Sequence, residues 1–290
     1  MVSDVELVLD ARAELGEGPC WLADRQRLVW VDIVPGHVPL FDPATGEDRV
    51  VAVGQPVGAA VPADDGRLAL AVRDGFALLD LDSGTIETVA DVEREIAGNR
   101  MNDGKCDSAG RFWAGTMATD VRRGAGALYR LDERRQVERM VGDVGISNGL
   151  GWSLDDRLMY FIDTLEDRID VFDFDPATGS IANRRPLVQI EGPGHPDGMT
   201  VDAEGGLWVA LWGGRRVAHF LPDGTPAGSV EVPVAQPSSC CFAGPDLRDL
   251  FITSAWQHLS PEERDPHAGG LFRCRPGVAG LPTRAYRTGT

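Results

Sequence analysis

Asn102, Asn148 and Asp197 stand at one register of a repeating chain, each ten residues ahead of a large apolar residue that opens a strand-like run. Glu17 lies one residue off that register in the first copy, and Gly18, Gly58 and Cys240 fill the other positions. Strand interiors are poor in Asn and Asp, and polar groups gathered around one channel need partners. Glu, Asn and Asp offer oxygen donors with no imidazole or thiolate, which suits a hard divalent cation such as Ca²⁺, Mg²⁺ or Mn²⁺, with Zn²⁺ and Fe²⁺ left open. An ion with only three protein ligands keeps positions for water or substrate, as catalysis requires. Taken singly, Asp103-Gly104, Asn148-Gly149 and Asp197-Gly198 also read as turn dipeptides. Their shared register points to a site.

The elements that must position these residues recur along the chain. Polar turns such as Asp64-Asp-Gly-Arg-Leu68, Asp107-Ser-Ala-Gly-Arg-Phe112 and Asp202-Ala-Glu-Gly-Gly-Leu207 each feed an apolar run. The anchoring residues fall at 28, 68, 112, 158, 207 and 250, separated by 40, 44, 46, 49 and 43 residues. Alternating segments follow, such as Gly126-Ala-Leu-Tyr-Arg-Leu131. Two near-identical turns, Asp42-Pro-Ala-Thr-Gly46 and Asp175-Pro-Ala-Thr-Gly179, lie far apart. Six units of this length, each with four strands, predict an all-β fold: one six-bladed β-propeller domain over residues 1–290, its four-stranded antiparallel blades around a central channel. Helical solenoids have similar periods but need apolar residues at 3.6 spacing, which is absent. Ring closure requires a strand near residues 6–11 to pair with one near 270–275. Residues 257–269 read as the longest irregular insertion.

A net charge of −17 repels phosphate backbones and anionic headgroups, so nucleic acid and membranes are excluded as partners. No apolar run reaches membrane-spanning length, and the first residues lack a basic segment followed by an apolar core. The five cysteines (Cys20, Cys106, Cys240, Cys241 and Cys274) lack zinc or disulfide-framework spacing. They read as buried strand thiols of a reduced, cytoplasmic protein. His195 reads as a solvated loop residue, and Arg215-Arg216 as a strand-edge charge pair.

The sequence resembles the senescence marker protein / gluconolactonase / luciferin-regenerating enzyme family over nearly its whole length. The resemblance is carried by Leu15-Gly-Glu-Gly-Pro19, Asn99-Arg-Met-Asn-Asp-Gly-Lys105, Gly110-Arg-Phe-Trp-Ala-Gly-Thr-Met117 and Ser147-Asn-Gly-Leu150. Asp163-Thr164, Pro196-Asp-Gly-Met199, Leu207-Trp-Val-Ala210 and Ser239-Cys-Cys-Phe242 complete it. It implies one divalent metal, Ca²⁺ first, held by Glu17, Asn148 and Asp197, with substrate contacts from Arg100 and Asn102. A family glutamate falls near Asp120, one methylene shorter, in a loop over residues 119–126 that departs from the family pattern. The implied activity is hydrolysis of a sugar aldonolactone, of the gluconolactone or xylonolactone type, to the aldonic acid, with Asp197 as general base, in a monomer or weak homo-oligomer. Two rivals stand beside it. A non-catalytic calcium-binding regulatory protein would not need Arg100 and Asn102 beside the metal. A hydrolase of other esters on the same scaffold would want a less polar channel.

Overall fold

The computed structural model describes residues 4–289. The chain begins with β1 (Glu6–Leu9) and then builds blade 1 from β2 (Gly16–Leu22), β3 (Arg27–Asp32), β4 (His37–Phe41) and β5 (Asp48–Ala52). Blade 2 holds β6 (Val57–Pro62), β7 (Leu68–Val72), β8 (Gly75–Leu79) and β9 (Ile86–Asp91). Blade 3 holds β10 (Asn99–Cys106), β11 (Phe112–Ala118), β12 (Gly126–Leu131) and β13 (Val137–Val144). Blade 4 holds β14 (Ser147–Trp152), β15 (Leu158–Asp163), β16 (Arg168–Asp175) and β17 (Ser180–Gln189). Blade 5 holds β18 (His195–Val201), β19 (Leu207–Trp212), β20 (Arg216–Phe220) and β21 (Pro226–Glu231). Blade 6 consists of β22 (Pro237–Ala243), β23 (Asp249–Ser254), β24 (Leu271–Cys274) and, as its outer strand, β1. Every pairing within a blade is antiparallel, and the inner strands β2, β6, β10, β14, β18 and β22 pack side by side in a closed ring. The architecture is the six-bladed β-propeller that the repeat predicts.

Ring closure takes the expected form, with Glu6 opposite Arg273 and Leu7 opposite Phe272. Six apolar clusters fill the six gaps between neighbouring blades. Val29 and Val31 meet Leu68 and Leu70 between blades 1 and 2, and Trp21 and Trp30 meet Phe251 between blades 1 and 6. A blade middle is therefore apolar on both faces, so runs such as Leu207-Trp-Val-Ala-Leu211 show no alternation. The two Asp-Pro-Ala-Thr-Gly turns are built alike. Asp42 and Asp175 each accept the N–H two residues on, at 2.9 and 3.0 Å, and Gly46 and Gly179 take φ of 78° and 72°.

All six inner strands carry a β-bulge near their starts. One extra residue lies between Glu17 and Cys20, Val57 and Ala59, Met101 and Gly104, Asn148 and Leu150, Pro196 and Met199, and Pro237 and Ser239. The Asn-Gly and Asp-Gly pairs that could be turns are thus strand bulges, which re-aim side chains without ending the pairing. One register position needs correction: Ser238, not Cys240, occupies the bulge of blade 6. Phe242 pairs with Leu250 where Cys106 pairs with Phe112, so the β22–β23 turn is two residues longer and a fixed step back falls two residues short. Cys240 and Cys241 point into the separate inter-blade clusters on either side of their strand, and all five cysteines are buried free thiols.

The residues after β24 add no strand to any blade. They form a strap across the end of the channel remote from the bulges. Gly280 bridges to Asp202, and Tyr286 pairs with Ala63. Leu281, Pro282, Thr283 and Arg284 close a cavity of about 100 Å³ inside the channel.

Candidate functional site

The bulges sit at the N-terminal ends of the inner strands and face one mouth of the channel. Glu17, Asn102, Asp103, Asn148 and Asp197 are all buried, between 3% and 5% exposed, a depth at which polar side chains need partners. Arg100, in the same strand as Asn102, is partly buried and donates from Nη1 to Asn102 Oδ1 at 2.7 Å and to the Met101 carbonyl at 2.9 Å. Asn102 Nδ2 donates to Asn148 Oδ1 at 3.1 Å and to the Ser147 carbonyl at 2.9 Å. Glu17 Oε2 accepts from its neighbour Gly18 N–H at 3.1 Å.

Local sequence explains how these groups are held. Two aspartates at the ends of second strands pin the chain entering the bulges that carry Glu17 and Asn148. Asp32 accepts Glu14 and Leu15 N–H at 3.1 and 2.9 Å, ahead of Glu17. Asp163 accepts Gly145 and Ile146 N–H at 2.8 and 3.0 Å, ahead of Asn148. Blade 2 has Gly58 at its bulge because a Cβ there would meet the Asn102 carbonyl oxygen at 2.3 Å. That position supplies close backbone approach in place of a ligand.

The electrostatics are those of acidic groups crowded away from water. Burial, then Asp197 and Asp103, push the Glu17 carboxyl well above its usual value. Burial and Asp103 do the same to Asp197, opposed by hydrogen bonds with Glu17 and Asn148 and by the Arg100 charge. Burial pulls the Arg100 guanidinium down to about 10, against the pull of Glu17 and Asp197. Two carboxyls in hydrogen-bonding contact must share a proton unless a cation replaces it. With one carboxamide beside them they form an all-oxygen donor set, which fits a hard divalent ion. Among the described residues no three His, Cys, Asp or Glu side chains gather as a ligand cluster. The set here is two carboxylates and an amide.

The structure brings together Glu17, Arg100, Asn102, Asn148 and Asp197. Asp120 lies at the rim, exposed, with its carboxylate paired to Arg122 at 2.8 Å. Its loop is tied to the mouth by Thr119 N–H donating to the Gly98 carbonyl at 2.8 Å. His195 is exposed and bonded to Asp167 at 2.5 Å. Arg215 grips Asp265 of the 257–269 insertion at 2.7 and 3.0 Å. Two groups escaped sequence reasoning. Asp103 reads as half of a turn dipeptide, yet it is buried beside the carboxylates. Lys105 reaches across the channel from β10, its Nζ 2.6 Å from the Met199 carbonyl. The alternation within β10 is the signal that could have placed both.

The chain is thus a six-bladed propeller with an oxygen-donor cluster and a partly buried arginine at one mouth of its channel. Residues 15–256 match the SMP-30/Gluconolactonase/LRE-like region, and the chain belongs to that family. It is 39% identical over 288 residues to regucalcin of Gallus gallus, covering 96% of each chain. It is 37% identical over 281 residues to the protein named "Putative sugar lactone lactonase YvrE" of Bacillus subtilis (strain 168), again covering 96% of each. Among solved structures, the calcium-binding protein regucalcin of Agrobacterium tumefaciens superposes with a TM-score of 0.94 at 30% identity, over 98% of both chains. No helix among the described residues is long and apolar enough to cross a membrane.

Proposed function

We propose that this protein is a metal-dependent lactonase that opens a sugar aldonolactone to the aldonic acid. The observation that carries the reading is the placement of Arg100, held by Asn102, where its charge meets both the Glu17 and the Asp197 carboxyls. The family relation supports it, and so does the name of the Bacillus relative.

Glu17, Asn148 and Asp197 would hold a divalent cation, Ca²⁺ first by donor type. When bound, such an ion polarises a carbonyl oxygen and offsets the negative charge that develops there. Asp197 acts as general base, taking a proton from the attacking water as its oxygen bonds the lactone carbon. The ring C–O bond then breaks, and Asp197 returns the proton to the departing alkoxide. Arg100 keeps guanidinium N–H groups beyond the two bonds of its Nη1, and these bind and orient the sugar hydroxyls. Asp120 reaches the substrate from the rim. The five buried thiols suit a reducing compartment.

The test is proton release from a panel of sugar lactones by metal-stripped protein, with Ca²⁺, Mg²⁺, Mn²⁺, Zn²⁺ or Fe²⁺ restored singly. Metal-dependent turnover that vanishes in Asp197→Ala is the expected result. Metal binding without turnover of any lactone favours the calcium-binding reading, for which the Agrobacterium protein's name is the specific support.

A further inference from the structure

Four side chains at the mouth form a hydrogen-bonded chain that runs in one direction across three blades. Arg100 donates to Asn102 Oδ1 at 2.7 Å, and Asn102 Nδ2 donates to Asn148 Oδ1 at 3.1 Å. Asn148 Nδ2 donates to Thr164 Oγ1 at 2.8 Å, and Thr164 Oγ1 donates to the Pro196 carbonyl at 2.8 Å. A guanidinium can only donate and a backbone carbonyl can only accept, so both ends of this chain are fixed. A flipped Asn148 amide would set its N–H groups against those of Asn102. It would also draw the Thr164 proton away from Pro196. The network therefore permits one amide orientation. It places Oδ1 on the Asn102 side, with a second lone pair available, and turns Nδ2 toward Thr164.

Thr164 is well placed for this task. It is buried, at 9% exposure, and opens the 3₁₀ turn η1 (Thr164–Glu166) immediately after β15. Asp163, the cap of that turn, accepts Leu165 N–H at 3.3 Å and also holds the chain entering β14. The hydroxyl bridges blade 4 to the residue just before Asp197 on blade 5. It thus links two of the candidate ligands and is not one itself.

We propose that Thr164 is a positioning residue that locks the Asn148 carboxamide with its oxygen toward the ion. This rests on the metal-dependent reading above. Thr164→Val keeps the shape and removes the hydroxyl, leaving the Asn102 hydrogen bond to hold the amide, so its orientation is less firmly set. Loss of such an outer hydrogen bond weakens metal binding by roughly 10–100-fold. Thr164→Ser keeps the hydroxyl and restores the affinity. The measurement is calorimetric titration of metal-stripped protein with Ca²⁺ or Mn²⁺, alongside lactone turnover at rising metal concentration. Turnover in Thr164→Val should approach the wild-type value once metal saturates. If Thr164→Val fails to fold, Thr164→Ala removes the same hydroxyl without a methyl facing the Pro196 carbonyl. Equal metal affinity in wild type and the hydroxyl-free variant overturns the inference, as does a turnover deficit that saturating metal does not repair. Wild-type protein that binds no divalent ion sinks the metal reading itself, a different outcome from either.

Discussion

Glu17 and Asp197 are acidic groups placed where an acid is costly, and their contact with one another raises that cost. A site that only packs the channel would not place two carboxyls together with a partly buried guanidinium. Asp197→Asn keeps the volume and an oxygen donor but removes the basic lone pair. The expected loss in kcat is about 10²–10⁴-fold, the usual contribution of a general base, with the circular dichroism spectrum unchanged. Arg100→Lys keeps the charge but loses the planar fork, so KM should rise more than kcat falls. A fall in kcat alone would assign Arg100 to the chemical step. Glu17, Asn148 and Asp197 were legible in sequence because carboxylates and amides in strand-like runs contradict local propensity. Asp103, Lys105 and Thr164 were less so, because Asp-Gly has a ready meaning as a turn and Thr is ordinary in any strand.

Repetition at the level of the element made the fold readable. Asp107 and Asp202 show what the turns do. Asp202 accepts Glu204 and Gly206 N–H at 2.9 and 2.8 Å and the Trp208 indole N–H at 2.8 Å. Asp107 repeats the pattern with Ala109, Arg111 and Trp113. One carboxylate thus ties the hairpin to the aromatic residue that packs the gap between blades. The same hairpins blurred the site, because their lengths vary and counting from an anchor loses the register in blade 6. Asp202→Ala strands three donors, two of them backbone, and should cost about 2–4 kcal/mol in urea unfolding. Burial opposes ionisation of Asp202, but His219 close by and hydrogen bonds from Trp208, Gly206 and Glu204 prevail and hold it below the ordinary carboxylate range. A depressed folded pKa stabilises the protein above the unfolded value, near pH 3.9 for an aspartate. That stability is lost as pH falls through the folded pKa. The gap in urea midpoint between wild type and Asp202→Asn should therefore hold steady near neutrality and narrow in acid below about pH 4. A gap that stays constant into strong acid would show that the carboxylate charge contributes nothing.

At the scale of the whole molecule, the ring is held by two devices that each occur once, and only the first follows from the need to close a repeat. The first is the pairing of β1 with β24. The second is the strap, which meets every blade at the end remote from the candidate site. Cys20 of blade 1 hydrogen-bonds Thr283, and the Tyr286 amide donates to the Pro62 carbonyl of blade 2 at 2.7 Å. The Tyr286 hydroxyl donates to the Asp132 carbonyl of blade 3 at 2.9 Å, and Arg284 pairs with Asp156 of blade 4 at 2.8 Å. Ala203 of blade 5 donates to the Ala279 carbonyl at 2.8 Å, and Gly280 donates to the Leu247 carbonyl of blade 6 at 2.7 Å. Tyr286, only 1% exposed, is the largest side chain the strap inserts. Tyr286→Ala should cost on the order of 3 kcal/mol, the scale of truncating a buried aromatic. The strap also floors the cavity lined by Cys20, Cys106 and Cys241, so these thiols report on its seating. A chain ended at Gly277 should react with a thiol reagent at these cysteines far faster than the full chain, at temperatures where both retain their β-sheet signal. Strap loss opens the channel from below, whereas unfolding would expose Cys240 and Cys274 as well. Mapping the labelled cysteines separates the two. Labelling that stays slow in the shortened chain would mean the blades close the channel without the strap.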